Sequence, residues 1–415
     1  MQLTAHNIQP LLADAVRTLL IATAMVERAD AAGKDWEIDG SGFFYTESER
    51  ISVYEETLYA KKYFGDGDTL SLKRTLDILS GASPTGEAKP SAVQTFTTAS
   101  GSQITNKSGS SPLGKFEDIR SAVNVNLEKT IAKAFKTNWA ANFSYEYDYT
   151  SMGASTQWSR DVFDKQATIN AGLSANYDIV RPTGGVPTGL KVTTDPTRYV
   201  SDQKFTYDTL IGTTLVMDRN TLATATFMMG ASLGYLSDPY KHISRLNVDG
   251  TPSGSVQFER RPDERRYKSL HLRTLHSRTS KGAQGDVVDI AYRWYVDDWS
   301  IQSHTLDARY RHDLEGKNSR KNKEYLQGHL RGYYQTAADF YYYGLPVLQP
   351  DPPFASADYR LAKLGTVTAG ILWGQELIKD LTLTLRGEYL YQWYMETQLS
   401  PLGAVLTQAG LYYQF

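Results

Sequence analysis

From Trp36 onward, apolar and polar residues alternate with period two along almost the whole chain. Trp139, Ala141, Phe143, Tyr145, Tyr147 and Tyr149 stand against Asn138, Asn142, Ser144, Glu146 and Asp148. Ile169, Ala171, Leu173, Ala175 and Tyr177 stand against Asn170, Ser174, Asn176 and Asp178. Leu70, Leu72, Leu76 and Ile78 interleave with Ser71, Lys73, Thr75 and Asp77, and Ile119, Val123, Val125 and Leu127 with Arg120, Asn124, Asn126 and Glu128. Period two sends successive side chains to opposite faces of a strand. No segment carries a helical period, so the fold class is all-β and antiparallel.

The connections add direction. Long Gly/Pro-rich loops (about 80–116, 180–203, 237–264 and 339–356) alternate with short turns near 65–68, 130–135, 164–166, 217–220, 278–284, 315–321 and 377–380. Gly65-Asp66-Gly67-Asp68 and Met217-Asp218-Arg219-Asn220 have hairpin-turn chemistry. Transmembrane barrels show this asymmetry, with short periplasmic turns and long extracellular loops. Sixteen strands are expected, from Trp36–Thr46 to Gly403–Phe415. A lumen that wide is not filled by side chains, so the apolar face must point outward into lipid. The expected architecture is a transmembrane antiparallel up-and-down β-barrel as a single domain over residues 32–415.

Composition agrees at the points where it discriminates. The chain has 415 residues and 28 Tyr, which suits aromatic girdles at two membrane interfaces. No Cys is present, which excludes thiolate metal sites and Cys catalysis. A net charge of -2 gives no reason to expect nucleic acid. No run reaches 18 apolar residues, so a helical span is excluded while a barrel is not. Residues 13–26 carry a short apolar core after Arg17, and Ala29-Asp30-Ala31 offers a small-x-small cleavage site, so residues 1–31 read as an export signal.

The last eight residues place Leu411, Tyr413 and Phe415 on one face of a strand. The pattern Gln408, Gly410, Tyr413, Phe415 resembles the carboxy-terminal β-signal of bacterial outer-membrane barrels. It implies the barrel assembly machinery and outer-membrane lipid as partners, with Phe415 an interfacial anchor whose loss impairs assembly.

Candidate chemistry lies on the polar face of the later strands. Alternation turns Ser269, His271 and Arg273 inward, then Asp289, Arg293 and Asp297. Thr305, Asp307, Arg309 and Arg311 follow, then Gln327, His329, Arg331 and Tyr333, with Arg386 and Glu388 on the fifteenth strand. An arginine-rich wall beside carboxylates sets a transverse field that selects polar or anionic solutes; a charge ladder that only hydrates and stiffens a lumen uses the same residues. His271 and His329 lie on strands separated by two others and form no spaced ligand set, so no metal or other cofactor is expected. Ser303 and His304 are adjacent and point to opposite faces, so no catalytic dyad forms and no enzyme is expected. Asp297 and Asp298 read as rim charges.

Several segments together resemble one family: Leu79 to Gly86, Glu259-Arg260-Arg261-Pro262-Asp263, Tyr292 to Trp299, Ser303-His304-Thr305-Leu306-Asp307, Gln335 to Tyr341, and Ala355 to Arg360. In this collinear order the chain resembles the outer-membrane family filed as domain of unknown function 3570. Thr85 departs mildly, since the family often has Asn there. The resemblance implies one barrel in a Gram-negative outer membrane and a possible periplasmic redox partner, and little about activity. The loops carrying these segments are expected to fold inward as a plug, with Arg261, Asp263, Asp339 and Asp358 pairing across it; independent rim structure is the alternative. Two functions stand: a porin-like channel or transporter for small polar solutes or ions, and a sleeve or scaffold for a periplasmic redox partner.

Overall fold

The computed structural model describes residues 35–48, 50–64, 67–89, 94–97, 103–106, 112–278, 286–314, 323–395 and 397–415. The expected export signal at 1–31 lies outside them, as do most of the turns expected at 278–284 and 315–321 and half of that at 65–68. The strands are β1 (Trp36–Glu47), β2 (Ile51–Tyr63), β3 (Thr69–Pro84), β4 (Gln94–Thr97), β5 (Gln103–Asn106), β6 (Leu113–Ala132), β7 (Phe135–Tyr145) and β8 (Tyr149–Val162). Next come β9 (Ala167–Val180), β10 (Val186–Pro187), β11 (Arg198–Tyr199), β12 (Asp202–Val216), β13 (Thr221–Gly234), β14 (His242–Leu246), β15 (Pro252–Phe258) and β16 (Glu264–Arg278). The last are β17 (Asp286–Asp297), β18 (Gln302–Leu314), β19 (Glu324–Gln335), β20 (Leu345–Pro346), β21 (Leu364–Ile378), β22 (Leu381–Tyr394) and β23 (Leu402–Gln414). A three-residue 3-10 turn, Tyr359–Leu361, lies in the loop between β20 and β21.

Sixteen strands close a barrel in the order β1-β2-β3-β6-β7-β8-β9-β12-β13-β16-β17-β18-β19-β21-β22-β23, each antiparallel to the next. β23 pairs with β1 over eleven positions, from Glu37↔Gln414 to Glu47↔Ala404. At the seam the Trp36 N–H donates to the Phe415 carbonyl at 2.8 Å and the Phe415 N–H to the Trp36 carbonyl at 2.9 Å. Closure leaves no unpaired edge, which a sheet in hydrocarbon cannot tolerate.

One end of the barrel carries short turns. In the 217–220 turn the Asp218 carboxylate accepts from the Asn220 N–H at 2.7 Å and the Thr221 hydroxyl at 2.9 Å. At 163–165 three consecutive residues take positive φ. The other end carries 85–112, 181–201, 235–263 and 336–363, which hold β4–β5, β10–β11 and a three-stranded sheet in the order β15-β14-β20.

Alternation sorts the faces. Outward residues include Ile119, Phe143, Leu173, Ile211, Leu306, Leu330 and Ile371, all exposed. So large an apolar belt on a barrel this wide is the surface that meets lipid. Tyr145, Tyr207, Tyr334 and Tyr391 stand on it toward the long-loop end, and Trp36 and Phe163 at the other.

Candidate functional site: a charged lumen wall under an interlocked cap

The register fixes which side chains face the lumen. On β16 these are Arg265, Tyr267, Ser269, His271 and Arg273; on β17, Asp289, Arg293, Tyr295 and Asp297. On β18 they are Ser303, Thr305, Asp307, Arg309, Arg311 and Asp313; on β19, Gln327, His329, Arg331, Tyr333 and Gln335; on β22, Arg386 and Glu388. The eleven residues expected on this wall all sit on it.

Most of the charges are already paired. Arg273 donates to Asp289 through Nε at 2.8 Å and Nη2 at 2.7 Å, and Arg265 to Asp297 at 2.8 and 2.5 Å. Arg311 reaches Asp313 at 2.9 Å while its guanidinium stacks 3.7 Å from the Tyr325 ring centre. The longest chain runs Arg309–Asp307–His329–Glu388–Arg386, with links of 3.3, 3.1, 2.8 and 2.6 Å. Both ring nitrogens of His329 face carboxylate oxygens, one of Asp307 and one of Glu388. His329 and Glu388 lie on β19 and β22, with β21 between them. Gly370 opens that space: a Cβ there would sit 2.2 Å from Glu388 Cγ. The opposite wall uses the same device with neutral groups. Across Gly153 of β8, Asn142 of β7 donates to Asn176 of β9 at 3.3 Å.

Arg293 and Arg331 differ from the rest. Neither pairs with a carboxylate among the described residues, and both are exposed to the lumen. Arg293 lies 5.7 Å from the centre of the Tyr295 ring.

The long loops lock together above this wall. Trp299, Ile301, Ala338, Phe340 and Leu361 form one apolar cluster, and Ile243, Leu345, Ala355 and Ala357 another. Between them Arg261 donates to Asp358 and forms an ion pair with Glu259, each at 2.7 Å. Arg360 joins Asp358 to Asp238 at 2.5 Å each, and the Ser356 hydroxyl donates to Glu259. Glu259 and Asp358 are fully buried. Burial opposes ionisation of Asp358, but the guanidiniums of Arg360 and Arg261 outweigh it and hold this carboxyl far below its usual range. Burial pushes Glu259 up, with Asp358 and Asp238 adding repulsion against Arg261. Burial likewise lowers Lys241, whose ammonium donates to Ser83 Oγ at 2.9 Å and the Pro84 carbonyl at 2.5 Å. Thr85, the departure from the family pattern, accepts the His242 N–H on its carbonyl at 2.7 Å.

The cap is set into the mouth of the barrel. Gln335, facing inward on β19, donates to the Arg360 and Ala362 carbonyls at 2.9 and 2.8 Å, and Tyr359 packs edge-on against inward Tyr394 of β22. Of the four expected plug residues, Arg261 and Asp358 meet. Asp263 and Asp339 make no ion pair among the described residues and use main-chain groups: the Asp263 carbonyl accepts from Gly234 at 2.8 Å, and the Asp339 N–H donates to Trp299 at 3.1 Å. Asp263 sits past Pro262, where the chain turns into β16, so Glu259 takes the place beside Arg261. Asp297 is a buried turn acceptor, not a rim charge: its Oδ1 takes the N–H groups of Trp299 and Ile301 at 3.1 and 2.9 Å. Glu259, Asp238, Lys241 and Arg360 escaped the sequence reading as site residues, although Glu259 and Arg360 lie within the segments carrying the family resemblance. At the rim, Asp118, Glu146 and Asp148 bring carboxylate oxygens within 4.8 Å of one another. Partial burial and a hydrogen bond with Asp118 push Glu146 up to about 7.

At the far end of the chain, Gln408 and Gly410 face the lumen opposite Arg386 and Thr384, while Tyr413 lies on the outer face. There it stacks on Phe415 with ring centres 5.1 Å apart.

A closed wall of sixteen strands, apolar outside and charged inside, defines a transmembrane β-barrel. The chain belongs to the family described as "Protein of unknown function (DUF3570)", which matches residues 10–412. No curated protein matches it. Among solved structures the chain is similar to "Bacterial polysaccharide outer membrane secretin", at 8% identity over 92% of this chain and 99% of that one, with a TM-score of 0.49. It is also similar to Pseudomonas aeruginosa OccK5 (OpdH), at 8% identity over 92% and 98% and a TM-score of 0.42. Pseudomonas putida OprB matches at 10% identity over 92% and 94%, with a TM-score of 0.43. At such identities the likeness is one of barrel architecture.

Proposed function

We propose that this protein is a porin-like channel of the Gram-negative outer membrane, passing small polar solutes or ions and preferring anions. The observation that carries the reading is the lumen wall from β16 to β22, where seven arginines face inward and two of them lack a carboxylate. The two arginines in excess of carboxylate partners on this wall attract anions without trapping them. The apolar outer belt and the seam at Trp36 and Phe415 support membrane insertion through the barrel assembly machinery. The interlocked cap favours a second reading, a non-conducting sleeve around a periplasmic redox partner, because a mouth held by buried ion pairs also suits a barrel with no open path. Planar-bilayer recording of the purified protein under a salt gradient separates the two. The channel reading expects stable conductance with an anion-preferring reversal potential and no added partner; a silent barrel that conducts nothing would overturn it.

A further inference from the structure

Resting on the channel reading, we propose that Arg293 and Arg331 form a lumen binding site for a small dicarboxylate. Of the seven inward arginines between β16 and β22, five are engaged: Arg265 by Asp297, Arg273 by Asp289, Arg309 by Asp307, Arg311 by Asp313 and Arg386 by Glu388. Those five carboxylates are thereby engaged too, and an anion arriving at Arg293 or Arg331 has no ion pair to break.

The register places the two free guanidiniums around one spot. Arg293 stands opposite Thr305, Thr305 stands opposite Tyr333, and Arg331 lies two residues from Tyr333 on the same face. Two strand spacings and a two-residue offset separate their Cα atoms by about 12 Å, so the forks approach one solute from two sides. His271 is directly opposite Arg293 on β16. Tyr333 lies in the field of Arg293, Arg265 and Arg331, with Ser303 beside its hydroxyl. The patch therefore offers two planar forks, an imidazole and hydroxyls, and its arginines open onto lumen water. A guanidinium fork matches a carboxylate two bonds at a time. A monoanion fills one fork, whereas a solute with a carboxylate at each end fills both.

The test is block of chloride current in planar bilayers by succinate, acetate and inorganic phosphate. Succinate is expected to act at a concentration at least about tenfold below acetate or phosphate, and Arg293→Ala and Arg331→Ala each to remove that advantage. Arg273→Ala, an engaged arginine, is expected to keep it. Equal block by all three anions, or block by succinate that survives in the double variant, overturns the site while leaving the channel standing. If the barrel carries no current, the channel reading fails separately, and calorimetric titration of succinate into the detergent-folded barrel decides the site. Binding lost in the double variant retains it; absence of binding to the unsubstituted protein overturns it. Cooperative unfolding of each variant in detergent confirms that it is folded.

Discussion

In the cap, Arg261, Arg360 and Lys241 face Glu259, Asp358 and Asp238, with Glu259 and Asp358 cut off from water. In the lumen wall the Arg273–Asp289 and Arg309–Asp307 pairs are wet: the side chains of Arg273 and Arg309 are 47% and 39% exposed. The difference in solvent decides what each set of charges does. A dry ion pair costs several kcal/mol per ion to desolvate, so removing one partner strands the other. A wet pair is worth about 0–1 kcal/mol and serves mainly to set the local field. Charges in the cap hold loops together; charges in the wall are available to solute.

The largest expected effect therefore lies in the cap. Asp358→Ala leaves the buried Arg261 with Glu259 alone and Arg360 with Asp238 alone, and should destabilise the cap locally by about 3–5 kcal/mol. Amide hydrogen exchange should show the loss across 336–363 and 235–263, with the barrel strands unchanged. Unaltered protection in those loops would contradict the assignment of this cluster as their lock.

Within the wall, Gly370→Ala places a methyl against Glu388 and the Gly387 carbonyl and parts His329 from Glu388. Overpacking of this kind costs about 1–3 kcal/mol, readable as a lowered denaturant midpoint of the detergent-folded barrel. Gly328→Ala, where an added Cβ meets nothing within 4 Å, is the control and should leave the midpoint in place.

At the rim, Glu146 sharpens the comparison through pH. Its carboxyl is raised from an ordinary 4.5 to about 7 by partial burial and by Asp118. Protonation therefore favours the folded rim, an increment fully present below about pH 4.5 and lost as pH rises through about 7. Protection of segment 146–149, taken relative to the intrinsic base-catalysed exchange rate at each pH, should fall between those limits in the unsubstituted protein and stay level in Glu146→Gln. The smallest stability effect belongs to Arg309→Ala, within about 1 kcal/mol by denaturant titration.

How much of this was legible beforehand follows from the length scale of each feature. Strands were legible because period two is local, as in Ile169 to Asp178, and because turns such as Met217–Asn220 carry their own chemistry. The lumen face of Asp307, Arg309 and Arg331 followed from the same alternation. Which arginines were free did not: that depends on register between strands, and on Gly370 letting β19 and β22 touch across β21. The cap was harder still, since Glu259 finds Ser356 and Arg261 finds Asp358 across 97 residues of chain. Arg309 and Arg331 look alike in sequence; Asp307 engages the first and not the second.

That distinction is the central claim, and one measurement addresses it directly. Reversal potentials in a potassium chloride gradient should be compared between Arg293→Ala/Arg331→Ala, which removes two unpaired cations, and Arg273→Ala/Asp289→Ala, which removes one whole ion pair. The free arginines should carry the selectivity: the first variant should lose severalfold of the chloride preference and the second less than about twofold, because an intact ion pair adds no net charge to the lumen and its removal takes none away. Equal shifts in the two variants, or a larger one in the second, would contradict the account.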